Sequence, residues 1–145
     1  MVDASTVTVT MTRGCATACA VVGLLAATPQ IQSQTPAASY TAVQAQAGEV
    51  TYQDVCSSCH MSDLAGAFEA PPLAGPNFLG MWNGRSARDL FDYITVAMPP
   101  AGRKPNDEAI TNIVAYILRQ NGMDAGDTPL VATVDGAIRA AAGKR

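Results

Sequence analysis

Three stretches of the chain repeat apolar residues at helical spacing, and none alternates at the period of a β-strand. From about Val43 to Val55, residues Gly48, Tyr52, Val55 and Cys59 share one face at i, i+4, i+7 and i+11. The second stretch opens at Ser86, a good N-cap with Asp89 three residues on. It carries Leu90, Phe91, Tyr93, Ile94 and Ala97 before Pro99-Pro100 stops it. The third is the clearest. Asn106 caps it, Asp107 and Glu108 suit its positive end, and Ile110, Ile113, Val114, Ile117 and Leu118 form its apolar stripe. Asn121-Gly122 closes it as a pair tolerant of the left-handed conformation. Gly/Pro-rich loops join the three, and the segment from Ala65 to Gly84 reads as the longest of them. The pattern predicts an all-α domain.

Ahead of these helices, residues 11–28 read as a secretory signal: Arg13 leads a run of small and apolar residues too short for a comfortable transmembrane helix, which needs roughly 20. The first ten residues carry Asp3 and no base, so Met11 is the better physiological start. Cleavage is expected between about Ala27 and Ser39, with Ala37-Ala38-Ser39 one plausible site. Cys15 and Cys19 then belong to a discarded peptide; an uncleaved interfacial anchor is the minority reading and the only route to a membrane. Residues 28–41, rich in Gln, Ser, Thr, Pro and Ala, read as a processed or flexible leader. The expected division is therefore 1–40 leader, 41–123 folded domain and 124–145 tail, in an exported, periplasmic protein.

Composition narrows the chemistry. Twelve acids against nine bases leave a net charge of −3 and no basic excess for nucleic acid. The single histidine, His60, excludes metal centres built on two or three imidazoles. About 75 patterned residues bury a marginal core, and such domains usually need a disulfide, a metal or a cofactor as a staple. Two mature cysteines exclude a disulfide framework.

Those cysteines form Cys56-Ser57-Ser58-Cys59-His60, a C-x-x-C-H run, the pattern of c-type haem attachment. Two cysteines three apart near a helix end can reach the two vinyl groups on one porphyrin edge, and the next residue presents its imidazole to the iron. A zinc half-site would need two more thiolate or imidazole ligands, which the mature chain lacks. A thioredoxin-like pair would open a helix after a buried strand, whereas this pair follows a helix.

With these residues in view, the segment from about Ala47 to Gly122 resembles the class I cytochromes c, small all-helical monohaem proteins. Gly48 and Tyr52 match the glycine and aromatic that precede the haem motif in that family. Tyr116 matches the aromatic of the C-terminal helix that crosses at the glycine. A glycine inside a helix costs about 1 kcal/mol and fits a close backbone approach, although Gly48 could also simply begin the helix. The resemblance implies three main helices and Gly/Pro-rich loops wrapped around one covalent haem c.

Bis-histidine ligation is excluded, so the sixth iron ligand falls to a methionine or stays open. Met1 and Met11 lie in the leader, Met61 adjoins the proximal ligand, and Met123 follows the last helix. Of the two left, Met98 precedes Pro99 and resembles the family's Met-Pro ligand loop; Met81 reads as core filler. The segment Pro71-Pro72-Leu73-Ala74-Gly75 resembles the Pro-x-Leu-x-Gly loop whose first proline carbonyl accepts the proximal imidazole N–H. Pro71 takes that role, with Pro72 the alternative, and Leu73 packs on the ring. Trp82 and Arg85, and less directly Arg88 and Arg103, are the donors available to propionates, though each arginine reads equally as a solvated surface charge.

The implied function is electron transfer by Fe(III)/Fe(II) cycling, in a carrier rather than an enzyme, between a dehydrogenase and a terminal reductase or oxidase. The alternatives are a cytochrome subunit of a larger dehydrogenase complex and, from another class, a five-coordinate haem enzyme or gas sensor. Lys104 is the only lysine ahead of the tail, so no lysine ring is available to steer a partner. Met61, Leu64, Ala65 and Phe68 read first as cover for the haem and second as a candidate apolar docking rim.

Overall fold

The computed structural model describes residues 35–133 and 135–139, so the signal-like run, Cys15, Cys19 and the end of the tail lie outside the described residues. The regular elements are helices: α1 Ala42–Val55, α2 Ser57–His60, α3 Pro76–Trp82, α4 Ala87–Ala97 and α5 Asp107–Gln120. Among the described residues, β pairing is confined to isolated bridges.

The caps account for where these helices begin. Thr41 and Gln44 form a reciprocal capping box on α1, as do Ser86 and Asp89 on α4, and the Asn106 side chain accepts from the Ala109 N–H to start α5. At its other end α5 stops at Asn121, after which Gly122 takes a φ of 80°. Two helices had no signal in the apolar pattern. One is the short α2, formed by the C-x-x-C-H run itself. The other is α3, inside the stretch expected to be loop from Ala65 to Gly84. Pro76 stands at its first position, where a missing N–H costs nothing, and Phe78 and Trp82 share its buried face.

The core is built on the crossing of α1 and α5. Ile110, Ile113, Val114, Ile117 and Leu118 are all buried, each worth roughly 1.5–3 kcal/mol of burial. Gly48 stands in mid-helix where α1 meets α5, and a Cβ there would sit 1.8 Å from the Asn112 carbonyl oxygen. Tyr52 and Tyr116 pack beside this point with ring centroids 5.2 Å apart, and a 2.7 Å pair between Arg119 and Glu49 closes the outer edge. Gly48 is thus a crossing point and not a helix start.

The expected boundaries at 41 and 123 are too tight. Tyr40 is fully buried and its hydroxyl donates to the Met123 carbonyl. The Ala38 N–H donates to the Ala137 carbonyl, and the Ala137 N–H donates to the Pro36 carbonyl. The other edge of 136–138 pairs with the start of α4, through Ala87 N–H to Gly136 and Ile138 N–H to Arg85. Gln44 holds Leu130 by both its N–H and its carbonyl. Residues 35–41, expected to be leader, and the tail to Arg139 therefore belong to the packed unit. Their composition is small and polar, but Ala38, Tyr40, Leu130, Ala137 and Ile138 are buried in the core.

Candidate functional site

One cavity of about 260 Å³ gathers most of the residues expected to bind a cofactor. Its wall includes Cys56, Cys59, His60, Pro71, Pro72, Leu73, Trp82, Arg85, Met98 and also Met81. Apolar side chains from α4 and α5, among them Leu90, Ile94, Ile113 and Ile117, complete it.

His60 ends α2 and is buried. Its Nδ1 lies 2.8 Å from the Pro71 carbonyl oxygen, so an Nδ1–H donates there and Nε2 is the ring nitrogen that would be left to meet an iron. The doubled proline resolves to Pro71, while Pro72 lines the wall without that bond. The bend that brings Pro71 over the ring is heavily braced. Tyr52 hydroxyl donates to the Met61 carbonyl at 2.7 Å, Gly66 N–H bonds back to the His60 carbonyl, and Leu73 N–H bonds to Leu64.

Asn121, read from the sequence only as a helix terminator, is the centre of this brace. It is buried, its Oδ1 accepts the Gly75 N–H at 3.0 Å, and its Nδ2 donates to the carbonyls of Leu73 and Ile117. The side chain therefore fixes both ends of the Leu73–Gly75 turn that follows Pro71. An Asn beside Gly at a helix end carries the cap signal alone; nothing in the order of residues tells that its amide reaches a loop 46 residues away.

Both cysteines are unpaired in the structure, Cys56 half-buried and Cys59 exposed. Burial, with the neighbouring Cys59 as the lesser cause, pushes the free Cys56 thiol up to about 11, so before haem attachment it stands as a neutral thiol at physiological pH.

On the same cavity wall, Met98 follows the last residue of α4, partly buried against the core. Met81 corrects an expectation. It lines the cavity but is 60% exposed, so it is rim and not core filler, because α3 turns Phe78 and Trp82 inward and carries Met81 off that face. Arg85 lays its guanidinium 4.1 Å from the Trp82 ring centroid, and Tyr93 meets the same indole edge-on at 5.7 Å. Arg85, Tyr93 and Asn77 are the polar side chains on this part of the wall, the last two unmarked by any motif. Arg88 instead pairs with Asp92 at 3.5 Å, and Arg103 lies on an adjoining hollow with Cys59 and Pro100.

The proposed docking rim also needs correction. Leu64 is buried in the core, and Met61, Ala65 and Phe68 are exposed, but none of the four lines the cavity. Positive φ angles at Met61, Leu64 and Phe68 show the tight winding that turns this segment away.

A buried imidazole with one nitrogen engaged, two cysteines beside it and a methionine on the wall of the same apolar cavity match the needs of a covalently attached haem. Among the described residues, no group of three or more His, Cys, Asp or Glu could hold a metal ion instead. The family model described as cytochrome c oxidase, cbb3-type, subunit III matches residues 43–117. The chain belongs to this family of c-type cytochromes. It carries one covalently bound haem c and is an electron carrier. A chain in the crystal structure of the sulfane dehydrogenase SoxCD from Paracoccus pantotrophus shares the fold, with a TM-score of 0.50 and 22% identity. That match covers 67% of this cytochrome and 51% of the other chain, so this cytochrome spans about half of that chain's length. No curated protein matches it.

Proposed function

We propose that this cytochrome is an exported one-electron carrier whose iron is held between His60 and Met98. The single observation that supports it most is the cavity wall, which carries an engaged His60 and a half-buried Met98 around the same apolar space. Haem bound there supplies Fe(III)/Fe(II) cycling, and a thioether ligand favours the ferrous state relative to two nitrogens. The protein's part is to hold both ligands, keep the macrocycle dry and leave an edge accessible near Cys59, Met81 and Tyr93. With His60 and Met98 both holding the iron, no bond-making step would be assigned to it, and we read it as a carrier rather than an enzyme.

The ligand assignment is tested on ferric holoprotein. The weak charge-transfer band of methionine-ligated ferric haem, at the near-infrared edge, should vanish in Met98→Ala and survive in Met81→Ala. The reverse pattern would move the ligand to Met81. A parent protein that lacks the band and gives a high-spin spectrum would favour the five-coordinate enzyme or sensor.

Export to the periplasm rests on the signal-like run at 11–28. Because the Pro36 carbonyl and the Ala38 N–H both bond to Ala137, the exported protein is expected to begin ahead of Pro36. N-terminal sequencing that starts at Ser39 would contradict this.

Electrons would pass from a dehydrogenase to a terminal reductase or oxidase. A second reading, a cytochrome subunit of a larger dehydrogenase, draws on the likeness to the longer SoxCD chain. Stoichiometric co-purification with a dehydrogenase subunit would select it.

A further inference from the structure

Residues 98–105 run Met-Pro-Pro-Ala-Gly-Arg-Lys-Pro and form one wall of the cavity through Met98, Pro99, Pro100 and Pro105. Three prolines in eight residues leave few backbone donors. The loop is anchored where it leaves α4, by the Met98 N–H to the Ile94 carbonyl at 2.9 Å. It ends at Asn106, whose side chain caps α5. Between these points, among the described residues, the hydrogen bonds made by 99–105 are two, and both belong to Lys104. Its ammonium donates to the Thr95 carbonyl at 2.8 Å and to the Val96 carbonyl at 2.6 Å.

Those two carbonyls lie in the last turn of α4, where a helix has acceptors without intrahelical donors and the negative end of its dipole. No basic residue of α4 itself sits there. The loop therefore returns its own cation to the helix it left, and Met98 stands between the helix end and that contact.

We infer that Lys104 is the latch of the Met98 loop, a positioning residue that keeps the thioether on the iron by holding residues 99–105 against α4. The inference rests on Met98 being the sixth ligand. Release of the ammonium frees the loop without touching His60, and the sixth position then opens to external ligands more often.

Imidazole titration of the ferric holoprotein tests it, with Lys104→Met removing the donors while keeping most of the apolar stem, and Lys104→Arg restoring them. Lys104→Met should bind imidazole roughly two- to fivefold more tightly, the range set by a cation at a solvent-exposed helix end. Lys104→Arg should stay near the parent protein. Thr41→Ala, which removes the cap of α1 far from the loop, controls for a general loss of stability and should leave imidazole affinity unchanged. Equal affinity in Lys104→Met and the parent would overturn the latch, as would an equal rise in Thr41→Ala. A Met98→Ala protein that keeps its methionine–iron band would fail at a different point: it would overturn the ligand assignment, and the latch with it.

Discussion

The two sides of the haem cavity are held in different ways. Around His60, Tyr52, Pro71, Leu64, Gly66 and Asn121 take part in a set of hydrogen bonds, most of them buried or half-buried, and thioether bonds from Cys56 and Cys59, as proposed, would tie the same segment to the ring. Around Met98, a proline-rich loop packs against the cavity and is tied back by one exposed lysine. The covalent motif and the histidine need to stay fixed through every redox cycle, and a buried polar network with all its members paired provides that rigidity. The methionine side has little beyond packing. It is the side expected to yield first when the protein is stressed.

The largest effect should come from removing the covalent bonds. Cys56→Ala with Cys59→Ala is expected to abolish covalent haem, seen as colour passing into the solvent on acid–acetone extraction and as loss of the haem mass. Retained colour in the protein would show that the braced side does not depend on this attachment.

Asn121→Ala attacks the brace alone. It leaves the Gly75 N–H and the Leu73 carbonyl without their partner and should cost about 1–3 kcal/mol in denaturant unfolding. The midpoint potential should shift because the Pro71 carbonyl is less well held on the imidazole, while the methionine–iron band persists. Loss of the band with unchanged potential would reverse the proposed division of labour between the two sides.

The smallest effect concerns the start of α4, the helix that delivers Met98. Hydrogen bonds from the Ser86 backbone and hydroxyl hold the Asp89 carboxyl below the usual carboxylate range, with Arg85 and Arg88 adding to the effect. A lowered folded value means that this contribution to stability is complete above the ordinary carboxylate pKa and fades as pH falls through the folded one. Asp89→Asn should therefore be less stable than the parent near neutrality, with the gap closing in acid. Urea midpoints across that range would check it; a gap that widens in acid would contradict the sign.

Much of this architecture was legible in the residue order. The long helices α4 and α5 carry their caps and stripes openly, α1 shows only the face of Gly48 and Tyr52, and Cys56, Cys59 and His60 are adjacent, so their chemistry is written in a local pattern. Gly48 was readable as a possible crossing because a glycine within a helix is costly unless another backbone approaches. The helix α3 was not legible: only seven residues long and opened by Gly75-Pro76, it has the composition of a loop. The docking of residues 35–41, 124–133 and 135–139 was hidden for a similar reason, since few apolar side chains mark a short segment that pairs by backbone.

By itself, then, the sequence determined the all-α class, the caps of α4 and α5 and the C-x-x-C-H pattern of haem attachment, because each depends on neighbours within a few residues along the chain. Tertiary structure alone decided which proline carbonyl meets His60, that Asn121 braces the Leu73–Gly75 turn, that Leu64 is core and Met81 rim, and that Lys104 returns to α4. These are contacts between segments distant along the chain or outcomes of how a helix rotates against the core, and composition and periodicity carry no information about either until the chain has packed.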